Sequence, residues 1–177
     1  MRWTRQNKTL DICLCFQHNA KDAPVLLWLQ GGPGGSSLFG LFNENGPFQV
    51  NENLEVTKRQ TSWTLTHHVI YIDQPVGTGF SFTKLDKCMA QNQDNVATDL
   101  YNALRQFFVM FPDIKNNEFY ITGESYAGKY VPALAHKIHT LNPLASEKIN
   151  LKVSSAISYL WYLIFQSNNI FSSGTKI

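Results

Sequence analysis

Ser125 lies in Phe119 to Gly128, FYITGESYAG, a short apolar stretch that breaks into a tight turn with the serine at its apex. Gly123 and the small Ala127 leave room for a sharp strand-to-helix turn, which would lift the Ser125 hydroxyl clear of a sheet edge. The pattern is G-x-S-x-[G/A], a nucleophile elbow. For an isolated GxSxA, a serine that caps the following helix is the ordinary reading; the surrounding loops turn the balance toward a nucleophile. A serine hydroxyl is a weak nucleophile unaided, so the chemistry also needs a general base and amide N–H groups placed for an oxyanion.

Two further loops have the same construction. Val25-Leu26-Leu27-Trp28-Leu29 is a continuous apolar run of strand length and empties into Gln30-Gly31-Gly32-Pro33-Gly34-Gly35-Ser36-Ser37. Such a glycine-rich loop can bring its backbone close to a ligand and present N–H groups to an anion. A dinucleotide loop is excluded by Pro33 and by the lack of an acidic residue at the right interval; a P-loop is excluded because no GK[ST] closes it. Val69-Ile70-Tyr71-Ile72 likewise runs into Asp73-Gln74-Pro75-Val76-Gly77-Thr78-Gly79-Phe80-Ser81.

The elements that must position these loops follow from length and pattern. A chain of 177 residues with 44% apolar and 13% aromatic content can build a core as one domain. Its net charge of +2, from 15 basic and 13 acidic residues without a long like-charge block, gives no footprint for nucleic acid. Three cysteines cannot all pair internally, Cys13 and Cys15 are too close to suggest a structural bridge to each other, and no Cys/His spacing suggests a metal or other cofactor. The basic N-terminus leads into an apolar run at Leu10 to Phe16 that is short and broken by Asp11, so it is not read as a signal peptide. Asn7-Lys8-Thr9 fits a glycosylation acceptor pattern, one that arises readily by chance. Apolar residues at Val96, Leu100, Leu104, Phe107, Phe108 and Phe111 predict a helix from Asp94 or Asn95 as cap to a stop at Pro112. A second helix is expected over Tyr126 to Leu141 with a kink or restart at Pro132, and one more strand near Ile149 to Val153. The order predicts an α/β sheet with three loops at the carboxyl ends of its strands.

LLWLQGGPGGSSLFGLFNENGPF, VIYIDQPVGTGFSF and FYITGESYAGKYVP together resemble the serine carboxypeptidase family, and GGPGGSS resembles its vitellogenic-like branch. The resemblance runs from about Ala23 to about Leu151 and matches the amino-terminal portion of a family member. It implies an α/β-hydrolase sheet with helices on both faces, truncated before the lid and the distal catalytic residues. It also implies release of the carboxyl-terminal residue of a peptide through an acyl-enzyme on Ser125. By the same resemblance the N–H groups of Gly32 and Tyr126 form the oxyanion hole. Gln30, Gly31 and Glu124 hold the substrate's terminal carboxylate, with Glu44 paired to Glu124. Crowded carboxyls cannot all ionise, so a proton is expected on Glu124. The family commonly has Asn at the position of Gln30, and many members have a cysteine where this chain has Gly35. For the parent protein the resemblance implies a secretory, lysosomal or extracellular location.

Both ends depart from the family. In this fold the acid and then the histidine follow the serine, yet no aspartate follows Ser125 and Glu147 is the only acid beyond it. His136 would lie roughly 16 Å along a helix leading away from the serine, His139 farther, and His67 and His68 are expected at the far end of their strand, at the surface or strand edge. Residues 1–22 read as a divergent amino-terminal segment, 23–153 as a partial catalytic domain, and 154–177 as a divergent tail. The apolar part of that tail, Ala156 to Phe165, is too short to span a bilayer. Expected functions are therefore a serine carboxypeptidase inactive in this form, a carboxylate-binding remnant without catalysis, or an acyltransferase in which an alcohol intercepts the acyl-enzyme.

Overall fold

The computed structural model describes residues 1–5, 7–17 and 20–157. The chain opens with an antiparallel hairpin, β1 (Arg2–Arg5) and β2 (Lys8–Cys15), turning at Asn7 with a φ of 66°. This hairpin was not foreseen within the segment read as divergent, although β2 carries the signal of a half-buried strand. Leu10, Ile12 and Leu14 face the main core, while Cys13 and Cys15 face the opposite side of the sheet. The two thiols interact: the hydrogen bond from its neighbour lowers Cys13 to about 7 against the opposing effect of burial, and the same contact together with burial pushes Cys15 up.

β3 (Val25–Leu29) follows, then a hairpin of β4 (Phe48–Val50) and β5 (Val56–Lys58), β6 (His68–Ile72) and the short β7 (Phe82–Thr83). Helix α1 spans Gln93–Met110, β8 spans Phe119–Glu124, α2 spans Ala127–Leu141 and β9 spans Leu151–Ile157. The main sheet has the order β1-β2-β6-β3-β8-β9, with β7 paired to β2. β6, β3, β8 and β9 are parallel neighbours, in register Val25↔His68 on one side of β3 and Val25↔Phe119 on the other. The three apolar runs expected to lie side by side do so. β3 and β6 are buried at every position, as central parallel strands are.

Among the described residues both long helices pack on one face, where Leu27, Leu29, Ile70 and Ile72 meet Leu100, Leu104, Phe107, Tyr130 and Leu134. The other face holds Leu26, Trp28, Val69 and Tyr71 under Leu41, which belongs to the single helical turn Gly40–Glu44. α1 begins two or three residues earlier than expected. Asn92 is the cap: its backbone is extended, with φ −159°, and its side chain accepts from the Asn95 N–H at 2.9 Å, whereas Asp94 and Asn95 are already helical. Pro112 ends the helix as expected, opening the turn Pro112–Ile114. α2 runs through Pro132 without a break.

β9 extends past Val153, pairing Ser154 through Ile157 with Ile121 through Glu124. The sheet thus claims four residues that were assigned to the tail. The remainder of the expected tail, 158–177, lies outside the described residues.

Candidate active site

Ser125 stands between the last residue of β8 and the first turn of α2, exposed, with a φ of 54°. A left-handed backbone at a residue with a Cβ costs energy that the surrounding structure must hold in place. Close packing does so here. A Cβ on Gly123 would come within 2.5 Å of the Leu29 carbonyl oxygen and 2.7 Å of the Ala127 Cβ, so β3 and the start of α2 both press on the turn. A Cβ on Gly31 would lie 2.7 Å from the Tyr126 nitrogen and 2.8 Å from the Ser125 Cβ. The glycine loop after β3 is therefore in direct contact with the elbow, and the Tyr126 N–H lies at a helix start, where N–H groups have no intrahelical acceptor. Gly32, next in the loop, has a φ of 112°.

The loop is pinned from below by a residue not singled out from sequence. Asp73, 2% exposed at the end of β6, accepts from the Ser36 hydroxyl at 2.6 Å and the Ser37 N–H at 2.9 Å through one oxygen. Its other oxygen accepts from the Phe80 N–H at 2.9 Å. Ser37 in turn donates to the Ile72 carbonyl at 2.6 Å and accepts from the Gln30 N–H at 3.1 Å. The available signal was an aspartate ending an apolar strand, where a buried charge needs several donors.

Beside the elbow, Gln30 and two carboxyls converge. The Trp28 indole N–H, which can only donate, gives its proton to Gln30 Oε1 at 2.9 Å. That orients the amide so that Nε2 donates to Glu124 Oε1 at 2.5 Å. Gln30 is 8% exposed, so the longer side chain is held by the indole. Glu44 has a buried Oε2 without a hydrogen-bond partner. Burial first, then the Glu124 charge, raises its pKa to about 6. Crowding of the two carboxyls thus acts on Glu44, whose surroundings favour its protonated form.

The histidines stay away from the serine. His68 opens β6 at the strand end expected for it but is 2% exposed, not at the surface; it accepts from the Gln17 N–H at 3.1 Å and meets the Phe16 ring edge-on. Its place at the amino end of β6 is opposite to the loops. His136 and His139 are exposed on α2, and the unbroken helix leaves them at the reach expected from sequence. Glu147 pairs with Lys115.

A strained serine at the carboxyl end of a central parallel strand, with a glycine loop from the neighbouring strand against it, defines the α/β-hydrolase class. The chain belongs to the serine carboxypeptidase family, whose model matches residues 13–162. It is 59% identical over 150 residues to "Probable serine carboxypeptidase CPVL" of Homo sapiens, a match covering 82% of this chain and 32% of that protein. It is 52% identical over 136 residues to the vitellogenic carboxypeptidase of Aedes aegypti, covering 77% and 28%. Among solved structures, a prohormone-processing carboxypeptidase of Saccharomyces cerevisiae, Kex1, superposes with a TM-score of 0.77 at 27% identity, covering 94% of this chain and 39% of the other. The chain spans about a third of the length of the curated relatives it matches.

Proposed function

We propose that this chain supplies the nucleophile, the oxyanion donors and the carboxylate-binding groups of a serine-type carboxypeptidase. The observation that carries the reading is the convergence of Gln30, Glu124 and Glu44 on the elbow side of β3 and β8. Gln30 Nε2 donates to Glu124, and Glu44, which also meets Gln30 and Glu124, is readily protonated at acidic pH, so the cluster suits a substrate carboxylate. A peptide held there by its terminal carboxylate would present its last peptide bond to Ser125. The hydroxyl attacks the carbonyl carbon, and the N–H groups of Gly32 and Tyr126 stabilise the oxyanion. The terminal amino acid leaves, and water releases the acyl group from Ser125. The proton of Ser125 needs an imidazole that none of the described residues brings within reach.

That last point favours a second reading for these residues by themselves, binding without turnover. One experiment separates the two. Residues 1 to 177 are titrated by calorimetry near pH 5 with a blocked dipeptide bearing a free carboxyl terminus and with its amide, while release of the terminal residue is followed. Binding of the acid and not the amide is expected, without release, and unchanged in Ser125→Ala. Equal binding of the amide would overturn the carboxylate site. Release that Ser125→Ala abolishes would show that the chain contains its own base. An acidic compartment of the secretory pathway is the location that suits Glu44.

A further inference from the structure

Cys13 and Cys15 stand two apart on β2, so both side chains project to the face of Leu26, Trp28, Val69 and Tyr71. Neither is in a disulfide, both are half-buried, and the two thiols interact with each other. β6 pairs with one side of the strand here, Cys13 opposite Tyr71 and Cys15 opposite Val69. On the other side, β1 pairs with Lys8 to Asp11 and Met1 reaches Ile12, so among the described residues Cys13 and Cys15 have no ladder partner there. Cys15 also lines a cavity of about 560 Å³ with Phe16, Gln17, Phe48 and Arg59, giving a small molecule a way in.

This pair is poorly placed for a disulfide. Alternate residues of a strand are about 6.6 Å apart along its axis, near the upper limit for bridged cysteines, whose Cα atoms are mostly about 5.5 to 6 Å apart. A single atom between the two sulfurs relaxes that demand. Among the described residues no three His, Cys, Asp or Glu side chains gather as a metal site, so a guest here meets two sulfurs, too few for tetrahedral zinc.

We propose that Cys13 and Cys15 form a dithiol clamp for soft, thiophilic electrophiles that accept two sulfur ligands, trivalent arsenic being the type. With an arylarsine oxide, both S–H bonds and the arsenic–oxygen bond break and two arsenic–sulfur bonds form. The oxygen leaves as water with the two thiol protons, and arsenic stays trivalent. The third cysteine, Cys88, lies on the separate turn Asp86–Cys88.

Phenylarsine oxide added to the chain of residues 1 to 177 is the test, read by intact mass and by thermal unfolding. One adduct per chain is expected, resistant to excess monothiol and reversed by 2,3-dimercaptopropanol, with a raised unfolding midpoint because the ligand favours the folded strand. Cys13→Ser and Cys15→Ser each abolish it, and Cys88→Ser retains it. An adduct surviving in either of the first two variants, no adduct in the parent chain, or a lowered midpoint would overturn the clamp. Mapping the adduct to the tryptic peptide that carries both thiols keeps the test decisive should a serine variant fail to fold.

Discussion

Gln30 Nε2 lies 2.5 Å from Glu124 Oε1, joining the end of β3 to the end of β8 immediately before the elbow. A hydrogen bond to a charged group contributes about 1.5 to 3 kcal/mol. Gln30→Ala removes it and also leaves the buried Trp28 indole N–H without its acceptor. The expected outcome is a roughly tenfold to hundredfold loss of affinity for a peptide with a free carboxyl terminus, read by calorimetry at pH 5. An unchanged affinity would remove Gln30 from the carboxylate site.

Glu44 sets the pH dependence of the same site. Its folded pKa, about 6, lies above the ordinary 4.5, so the folded chain binds the proton more tightly than the unfolded one. The stability it contributes is in full below about 4.5 and is lost as pH rises to about 6. Carboxylate binding should weaken as pH rises past about 6, by up to roughly tenfold per pH unit once Glu44 ionises. Glu44→Gln, which cannot ionise, should flatten both profiles, as denaturant titrations and calorimetry from pH 4 to 7 would reveal. A profile unchanged by Glu44→Gln would place the titrating group elsewhere.

Asp73 carries the glycine loop. Asp73→Ala strips the acceptor from the buried Ser37 N–H, where an unmet donor costs about 1 to 3 kcal/mol, and from the part-buried Ser36 hydroxyl and Phe80 N–H, where it costs less. A loss of about 3 kcal/mol or more in urea unfolding is expected, with weakened peptide binding because the loop bearing Gly31 and Gly32 loosens. A loss below about 1 kcal/mol would mean that water replaces these bonds.

Gly31 has no room for a side chain. In Gly31→Ala the new Cβ meets the backbone nitrogen of Tyr126 and the Ser125 Cβ, neither of which is the movable end of a flexible chain. Overpacking of this kind costs about 1 to 3 kcal/mol. The elbow should shift, with loss of peptide binding beyond the loss of stability, measured on the fraction that remains folded.

Asn92 provides a control away from the site. Asn92→Ala removes the side-chain acceptor of the Asn95 N–H and should cost about 1 kcal/mol by urea unfolding. Peptide binding should not change; a parallel loss of binding would mean that α1 is coupled to the loops.

Local chemistry made much of this molecule legible in its residues. Three apolar runs ending in glycine loops define parallel strands with loops at one end, because only buried strands tolerate such continuous hydrophobicity and only small residues allow the chain to turn so sharply after them. Ser125, Gly31 and Gly32 follow from that pattern, as does the buried stripe of α1. The β1–β2 hairpin was missed because a short run broken by Asp11 reads as polar until β6 lies beside it. The end of β9 was missed because its pairing with β8 depends on a neighbour about thirty residues away in sequence. That Glu44 takes a proton more readily than an ordinary glutamate was decided only in three dimensions. Glu44 reads like any other glutamate in the sequence; burial, and then the Glu124 carboxyl beside it, pushes its pKa up to about 6. Likewise Asp73 is one acid among many in the sequence, and it becomes the anchor of the loop only because the fold removes it from water and brings hydrogen-bond donors from two loops to its oxygens.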